Sequence, residues 1–207
     1  VLGAKLLGPA EPEHLLIFGA GQVACSLIDA YTTIFPSIAT VTLCVRRLQS
    51  ADCLRQKLAA GENRLPFVLS VSTEPSAAVP LADIVATATT SETPVLQRNW
   101  LSAGAHVDLV GAYTVSMREA DDHTLQHGAL YVDCCDTTVD HIGELLIPLA
   151  SGAIQPDSVL GDLYDLIAQG SGDGGRKRDP QQITVFKNGG GAHLDLMVAH
   201  HLMSLDP

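Results

Sequence analysis

Aromatic side chains are scarce in this chain: four Phe, four Tyr and one Trp make up 4% of 207 residues. Apolar residues reach 46% overall, so a sizeable core is available and it must be aliphatic. Cationic charge is scarce too. Twelve Lys and Arg stand against 23 Asp and Glu, a formal charge of −11. That balance argues against non-specific nucleic-acid binding, which draws its affinity from neutralised phosphates. It leaves room for an anionic cofactor, because a bound phosphate needs only a local positive site. No run of 18 apolar residues exists, so the sequence offers no membrane-spanning helix. No cationic segment followed by an apolar one opens the chain, so no signal peptide is visible. The first residue is Val1 rather than Met, and the chain is therefore expected to be a fragment or a processed product. The C-x-x-C spacing is missing among Cys25, Cys44, Cys53, Cys134 and Cys135. Their odd number, with Cys25 and Cys44 in apolar runs, reads as reduced thiols of a cytoplasmic protein. The neighbours Cys134 and Cys135 are poor disulfide partners on geometric grounds.

What is present is an alternation. Short aliphatic runs at 14–18, 40–45, 67–71, 83–87, 106–110, 129–132 and 183–186 have strand length. Between them, helical periodicity covers 22–34, 50–60, 117–127, about 143–150, 160–168 and 190–204. Strands alternating with helices predict βαβ units, and strands this apolar predict a parallel sheet covered on both faces. The fold class is α/β, a Rossmann-like doubly wound parallel sheet of about one domain. No internal repeat is present. One low-complexity stretch, Gln169 to Pro180, predicts a mobile loop before the last strand.

The stretch Gly19-Ala20-Gly21-Gln22-Val23-Ala24 follows the first strand and opens the first long helix. This G-x-G-x-x-A pattern is the phosphate-binding turn of dinucleotide folds. Gly19 permits the tight turn, Gly21 lets the backbone approach a pyrophosphate, and Ala24 allows close helix–strand packing. The helix N-terminus adds its N–H groups and dipole. Cofactor contacts are therefore expected from Gly19, Ala20, Gly21, Gln22 and Val23. The second strand ends in Arg46-Arg47, where an NAD site has an acid for the ribose 2′-hydroxyl. Guanidinium groups suit a 2′-phosphate, so NADP(H) is favoured over NAD(H). Thr87-Ala88-Thr89 and Val110-Gly111, with Tyr113, fall at the ends of the fourth and fifth strands, where a cofactor crevice opens. His123 and His127 share a helix face but lack a third ligand, and Asp133 to Asp136 read as a turn, so no metal site is assigned. His193 reads as a helix-start residue with the chemistry of a proton donor, and Arg176-Lys177-Arg178 as a solvated loop.

At 108–121, Asp-Leu-Val-Gly-Ala-Tyr-Thr-Val-Ser-Met-Arg-Glu-Ala-Asp, the sequence resembles the ornithine cyclodeaminase/mu-crystallin family. The glycine turn, Leu130-Tyr131-Val132-Asp133 and Ile183 to Gly189 agree with it. The resemblance is closest to the branch of pyrroline-2-carboxylate (ketimine) reductases. It implies a homodimeric, two-domain NAD(P)H enzyme that reduces cyclic imino acids, pyrroline-2-carboxylate or piperideine-2-carboxylate, to proline or pipecolate. The alternatives are ornithine cyclodeaminase or amino-acid dehydrogenase activity and, in another class, an NADPH-dependent ligand-binding protein of the crystallin kind. Lys187 and Asn188 fall in the segment that the family places near the nicotinamide. Tyr113 stands where cyclodeaminases carry an Asp, which favours imine reduction. The implied division is a linker helix at 1–13, a Rossmann domain at 14–182, and a strand and helix at 183–207 returning toward the substrate domain. That substrate and dimerisation domain, with the main catalytic groups, is expected to precede the residues of this chain.

Overall fold

The structure, a computed structural model, describes residues 1–59, 66–170 and 179–205. Its frame is set by the strand β1 (His14–Phe18). Leu15 and Ile17 point into one apolar cluster and Leu16 and Phe18 into another, so a strand with period-two side chains is buried on both faces. The same logic yields β2 (Thr40–Cys44), β4 (Ile84–Thr87), β5 (His106–Leu109), β6 (Ala129–Val132) and β8 (Thr184–Lys187), while β3 (Val68–Ser72) and β7 (Val159–Asp162) are partly buried strands at the two edges. All pair in parallel, in the order β3-β2-β1-β4-β5-β8-β6-β7. The order reverses at β1, where β2 and β4 flank it, and a crevice opens at such a point beyond the strand ends. The last strand in the sequence enters the middle of this sheet, between β5 and β6.

The helices are α1 (Leu2–Leu7), α2 (Gln22–Ile34), α3 (Asp52–Ala59), α4 (Pro75–Ala78), α5 (Asp122–His127), α6 (Cys135–Thr138), α7 (Gly143–Ser151), α8 (Leu163–Gly170) and α9 (Ala192–Leu205), the last exposed along most of its length. In α2, Ala24, Leu27, Ile28 and Tyr31 recur at helical spacing and are buried against β1 and β2. The helix predicted at 22–34 is there to the residue.

Several elements differ from the sequence reading, each for a local reason. The linker helix stops at Leu7, because Gly8 is extended ahead of Pro9. The helix predicted from 117 begins at Asp122, where the Asp121 carboxylate caps it by accepting from Thr124 N. The residues before it stay outside the helix, since Leu96 bridges to Ala120 and the N–H groups of Glu119 and Ala120 donate to Glu144. The helix predicted from 160 begins at Leu163, because 159–162 is an edge strand and Asp162 accepts from the N–H groups of Tyr164 and Asp165. Residues 135–138 form a helical turn. His123 and His127 stack with ring centroids 6.0 Å apart. Among the described residues no three His, Cys, Asp or Glu side chains converge as a metal site, and no helix is long and apolar enough to cross a membrane. The predicted loop segment 171–178, with Arg176-Lys177-Arg178, lies outside the described residues, as does the His193 side chain.

Candidate nucleotide-binding site

Beyond the C-terminal ends of β1, β2 and β4 lies a cleft of about 700 Å³. Its walls are Gly19 and Ala20 from the first turn, Cys44 to Arg47 and Ser50 after β2, and Ala88 to Thr93 with Val95 after β4. Gly19 has φ +114°, a region that L side chains rarely adopt, and a Cβ there would lie 2.6 Å from the Ala88 carbonyl oxygen. The turn is held from both neighbouring strands: Gly19 N–H donates to Cys44 O, and Ala88 N–H to Phe18 O. Gly21 caps α2 with no side-chain partner, and a Cβ built there meets nothing within 4 Å. Space above a helix start, with no side chain capping it, fits a phosphate group.

Arg46 and Arg47 are exposed on the opposite wall, and among the described residues neither forms an ion pair. Cys44 lies between them and the glycine turn as a neutral thiol, since burial and then the nearby Glu74 push its pKa up to about 11. The arrangement can take a phosphate ester on the turn and a second anion on the arginine wall.

The remaining predicted residues divide by depth. Gln22 and Val23 are exposed in the first turn of α2, adjoining the cleft. Ala88 and Thr89 line it, whereas Thr87 is buried behind them. Val110 and Gly111 are half-buried at the end of β5, and Tyr113 is 64% exposed just beyond. Lys187 is fully buried, and its ammonium donates to the carbonyls of Leu109 (3.1 Å) and Ala112 (2.6 Å). Its charge is spent on the turn after β5 and does not reach the cleft walls. Asn188 caps its own turn by accepting from Gly190 N–H.

The profile of the ornithine cyclodeaminase/mu-crystallin family matches residues 1–203. The chain belongs to that family. It is 50% identical, over 98% of its length, to the Delta(1)-pyrroline-2-carboxylate reductase of Paracoccus denitrificans, and covers 62% of that protein. The structure of Thermococcus litoralis Delta(1)-pyrroline-2-carboxylate reductase in complex with NADH and L-proline superposes with a TM-score of 0.86 at 24% identity, covering 96% of this chain and 59% of that one. An archaeal alanine dehydrogenase dimer with bound NAD gives a TM-score of 0.83 at 26% identity, over 96% of this chain and 59% of that one. The chain thus spans about three fifths of the length of the relatives it matches.

Against this family background, the sequence reading missed the acids behind the cleft. Glu119, Asp133 and Glu144 are buried, and each gathers backbone N–H groups. Asp133 accepts from Gly189 and Gly190 and so fixes the turn after β8. Acids in otherwise apolar or motif-like segments, Arg118-Glu119-Ala120-Asp121 above all, were the available signal. The hydroxyl run read at the end of β4, Thr87 to Ser91, does reach the cleft through Thr89, Thr90 and Ser91, whereas Thr93 beyond it was missed.

Glu144 carries a pH dependence. Burial pushes its carboxyl from 4.5 up to about 7, against the lowering effects of the Ala120 N–H, Lys187 and the Glu119 N–H. A carboxyl whose folded pKa is raised favours folding less as pH climbs: the penalty is absent below about 4.5 and complete above about 7. Glu144→Gln removes this ionisation. Between pH values of about 5 and 8, urea unfolding should therefore show the variant gaining on the wild type by up to roughly 3 kcal/mol. A difference that does not change with pH would refute the assignment.

Proposed function

We propose that the chain is the cofactor-binding part of an NAD(P)H-dependent reductase of cyclic imino acids, with pyrroline-2-carboxylate or piperideine-2-carboxylate as substrate. The observation that carries the reading is the 50% identity, over 98% of the chain, to a pyrroline-2-carboxylate reductase. The open space over Gly21 and the guanidinium groups of Arg46 and Arg47, which form no ion pair among the described residues, support a dinucleotide with a phosphorylated ribose, so NADPH is proposed over NADH. The reduced nicotinamide would supply hydride to the C=N carbon. This chain's part is to hold the pyrophosphate over the glycine turn, to grip the adenosine ribose with Arg46 and Arg47, and to fix the turns after β4, β5 and β8. Val110, Gly111, Tyr113 and Asn188 are proposed to face the nicotinamide end. Lys187 supports that end from below by holding the Leu109 and Ala112 carbonyls.

The groups that bind the substrate carboxylate and protonate the imine are proposed to come from a domain outside these residues. The helix α9 supports this. Leu196, Met197, Val198, Leu202 and Met203 are each more than half exposed, an apolar surface that a second domain or a dimer partner would cover. A homodimeric, cytoplasmic enzyme is the assembly proposed. The archaeal alanine dehydrogenase among the structural neighbours favours one second reading, reversible oxidation of an amino acid.

The full-length protein separates the two. Under the proposal it oxidises NADPH rapidly with pyrroline-2-carboxylate or piperideine-2-carboxylate, and only slowly with pyruvate and ammonia. Preferential turnover of pyruvate and ammonia would establish the second reading, and release of ammonia from ornithine would establish cyclodeamination.

A further inference from the structure

Glu119 is completely buried and carries no ion pair among the described residues, yet its carboxylate accepts five hydrogen bonds. The division of those bonds is informative. Oε1 accepts from Thr89 N–H (2.8 Å) and the Thr89 hydroxyl (2.7 Å), both on the turn after β4. Oε2 accepts from Gly111 N–H (2.7 Å) and Ala112 N–H (3.1 Å), on the turn after β5, and from the Thr87 hydroxyl (2.6 Å). One oxygen thus serves each turn, with Thr87 at the base of both. The first turn carries Thr89, a wall of the cleft. The second leads into the exposed Tyr113.

The clamp is itself held. Glu119 N–H donates to Oε2 of Glu144 (2.7 Å), and the Glu119 carbonyl accepts from Val95 and Leu96. Lys187 grips the second turn from the other side through the Ala112 carbonyl. The two turns also meet closely: a Cβ on Gly111 would lie 2.2 Å from Thr89 O and 2.5 Å from Oε1 of Glu119. Packing alone would need only an apolar side chain here. Five converging donors require an acceptor on both arms, which only a carboxylate offers.

We propose that Glu119 is a positioning residue that locks the turn after β4, which holds the dinucleotide, to the turn after β5, which faces its nicotinamide end. This rests on the reading of the cleft as a cofactor site and deepens it. Ligand on the first turn is then felt at the second, and neither turn moves alone.

Glu119→Gln tests this in the full-length protein. One arm of the amide becomes an NH2 donor that the backbone N–H groups cannot meet, so whichever way it lies one turn loses its main-chain anchor. In folded variant, checked by a cooperative thermal transition, NADPH affinity measured by fluorescence titration should fall about tenfold or more. KM for NADPH should rise accordingly. A loss of melting temperature with unchanged NADPH affinity would reduce Glu119 to a core residue and overturn the proposal. If the variant does not fold, the wild type still decides. Addition of NADPH should slow hydrogen exchange at the Gly111 and Ala112 amides as well as at Thr89. Protection at Thr89 with none at Gly111 and Ala112 would overturn it. Absence of any NADPH binding by the wild type would refute the cofactor reading itself, a separate result.

Discussion

Gly19→Ala should both destabilise the fold and abolish high-affinity cofactor binding, while Gly21→Ala should do only the second. A side chain at φ +114° costs about 1–3 kcal/mol in strain. The added methyl also lands 2.6 Å from the Ala88 carbonyl oxygen, in contact too close to survive unchanged. The turn cannot step aside, because hydrogen bonds tie Gly19 to Cys44 on β2 and Ala88 to Phe18 on β1. For a domain of this size the loss corresponds to roughly 3–10 °C in melting temperature. The shift of Gly19 would also displace Ala20 and Ala88, two walls of the cleft. Gly21, by contrast, has φ −86° and ψ −167°, and nothing within 4 Å of the position a Cβ would take. Its alanine variant should melt with the wild type. The methyl would occupy the space proposed for the pyrophosphate, so NADPH affinity should drop by about tenfold to a hundredfold. Thermal melts and NADPH titrations of the two variants check the pair. Equal destabilisation by both, or normal binding by Gly19→Ala, would remove the structural basis given to the turn.

The reason this turn was legible in the sequence is that all of its determinants are local. An apolar run of period two, two glycines and an apolar stripe of period 3.6 occupy residues 14 to 34 without interruption. The strands β1, β2, β4, β5 and β6 were legible for the same reason, each being aliphatic and bounded by turn residues. The strand β7 was not. At the sheet edge it is only partly buried, and Val159-Leu160-Gly161-Asp162 carries no apolar alternation long enough to read. The position of β8 between β5 and β6 is a long-range choice that its own four residues do not encode.

The acids behind the site were hidden by the same locality. Glu119 meets Thr87 and Thr89 across 32 and 30 residues, and Asp133 meets Gly189 across 56. Their partners are mostly backbone N–H groups, which have no letter in the sequence. Lys187 could be placed near the nicotinamide end by family resemblance, but its inward direction depends on carbonyls 75 and 78 residues away. Gly19 and Gly21 were visible as letters of a local motif, Gly19 being also an exception to ordinary backbone geometry. The carboxylates that hold the turns together were visible only as an acid within a family motif, Glu119, and as acids in apolar runs, Asp133 and Glu144.

Cofactor choice should turn on Arg46 and Arg47. Both line the cleft after β2, where an acid would otherwise accept from a ribose 2′-hydroxyl, and no acid lies between Thr40 and Ala51. Glu92 also lines the cleft, but it comes from the far wall after β4 and accepts from the Ser116 hydroxyl. A guanidinium meeting a 2′-phosphate forms charge-assisted hydrogen bonds worth ~1.5–3 kcal/mol, or about tenfold to a hundredfold in affinity. NADPH should therefore bind at least about tenfold more tightly than NADH. Arg46→Ala should erase most of the gap and leave NADH affinity nearly unchanged, because the lost contact involves the 2′-phosphate alone. Arg47→Ala should do less, since adjacent side chains at a strand end diverge. The double variant should bind the two cofactors alike. Because neither arginine has a protein anion to satisfy among the described residues, these changes should not lower the melting temperature. Rising ionic strength should narrow the wild-type gap, since the arginines are solvent-exposed. Fluorescence titrations of both cofactors against the wild type and the three variants measure every term. Equal wild-type affinities for NADH and NADPH would overturn the assignment of these arginines.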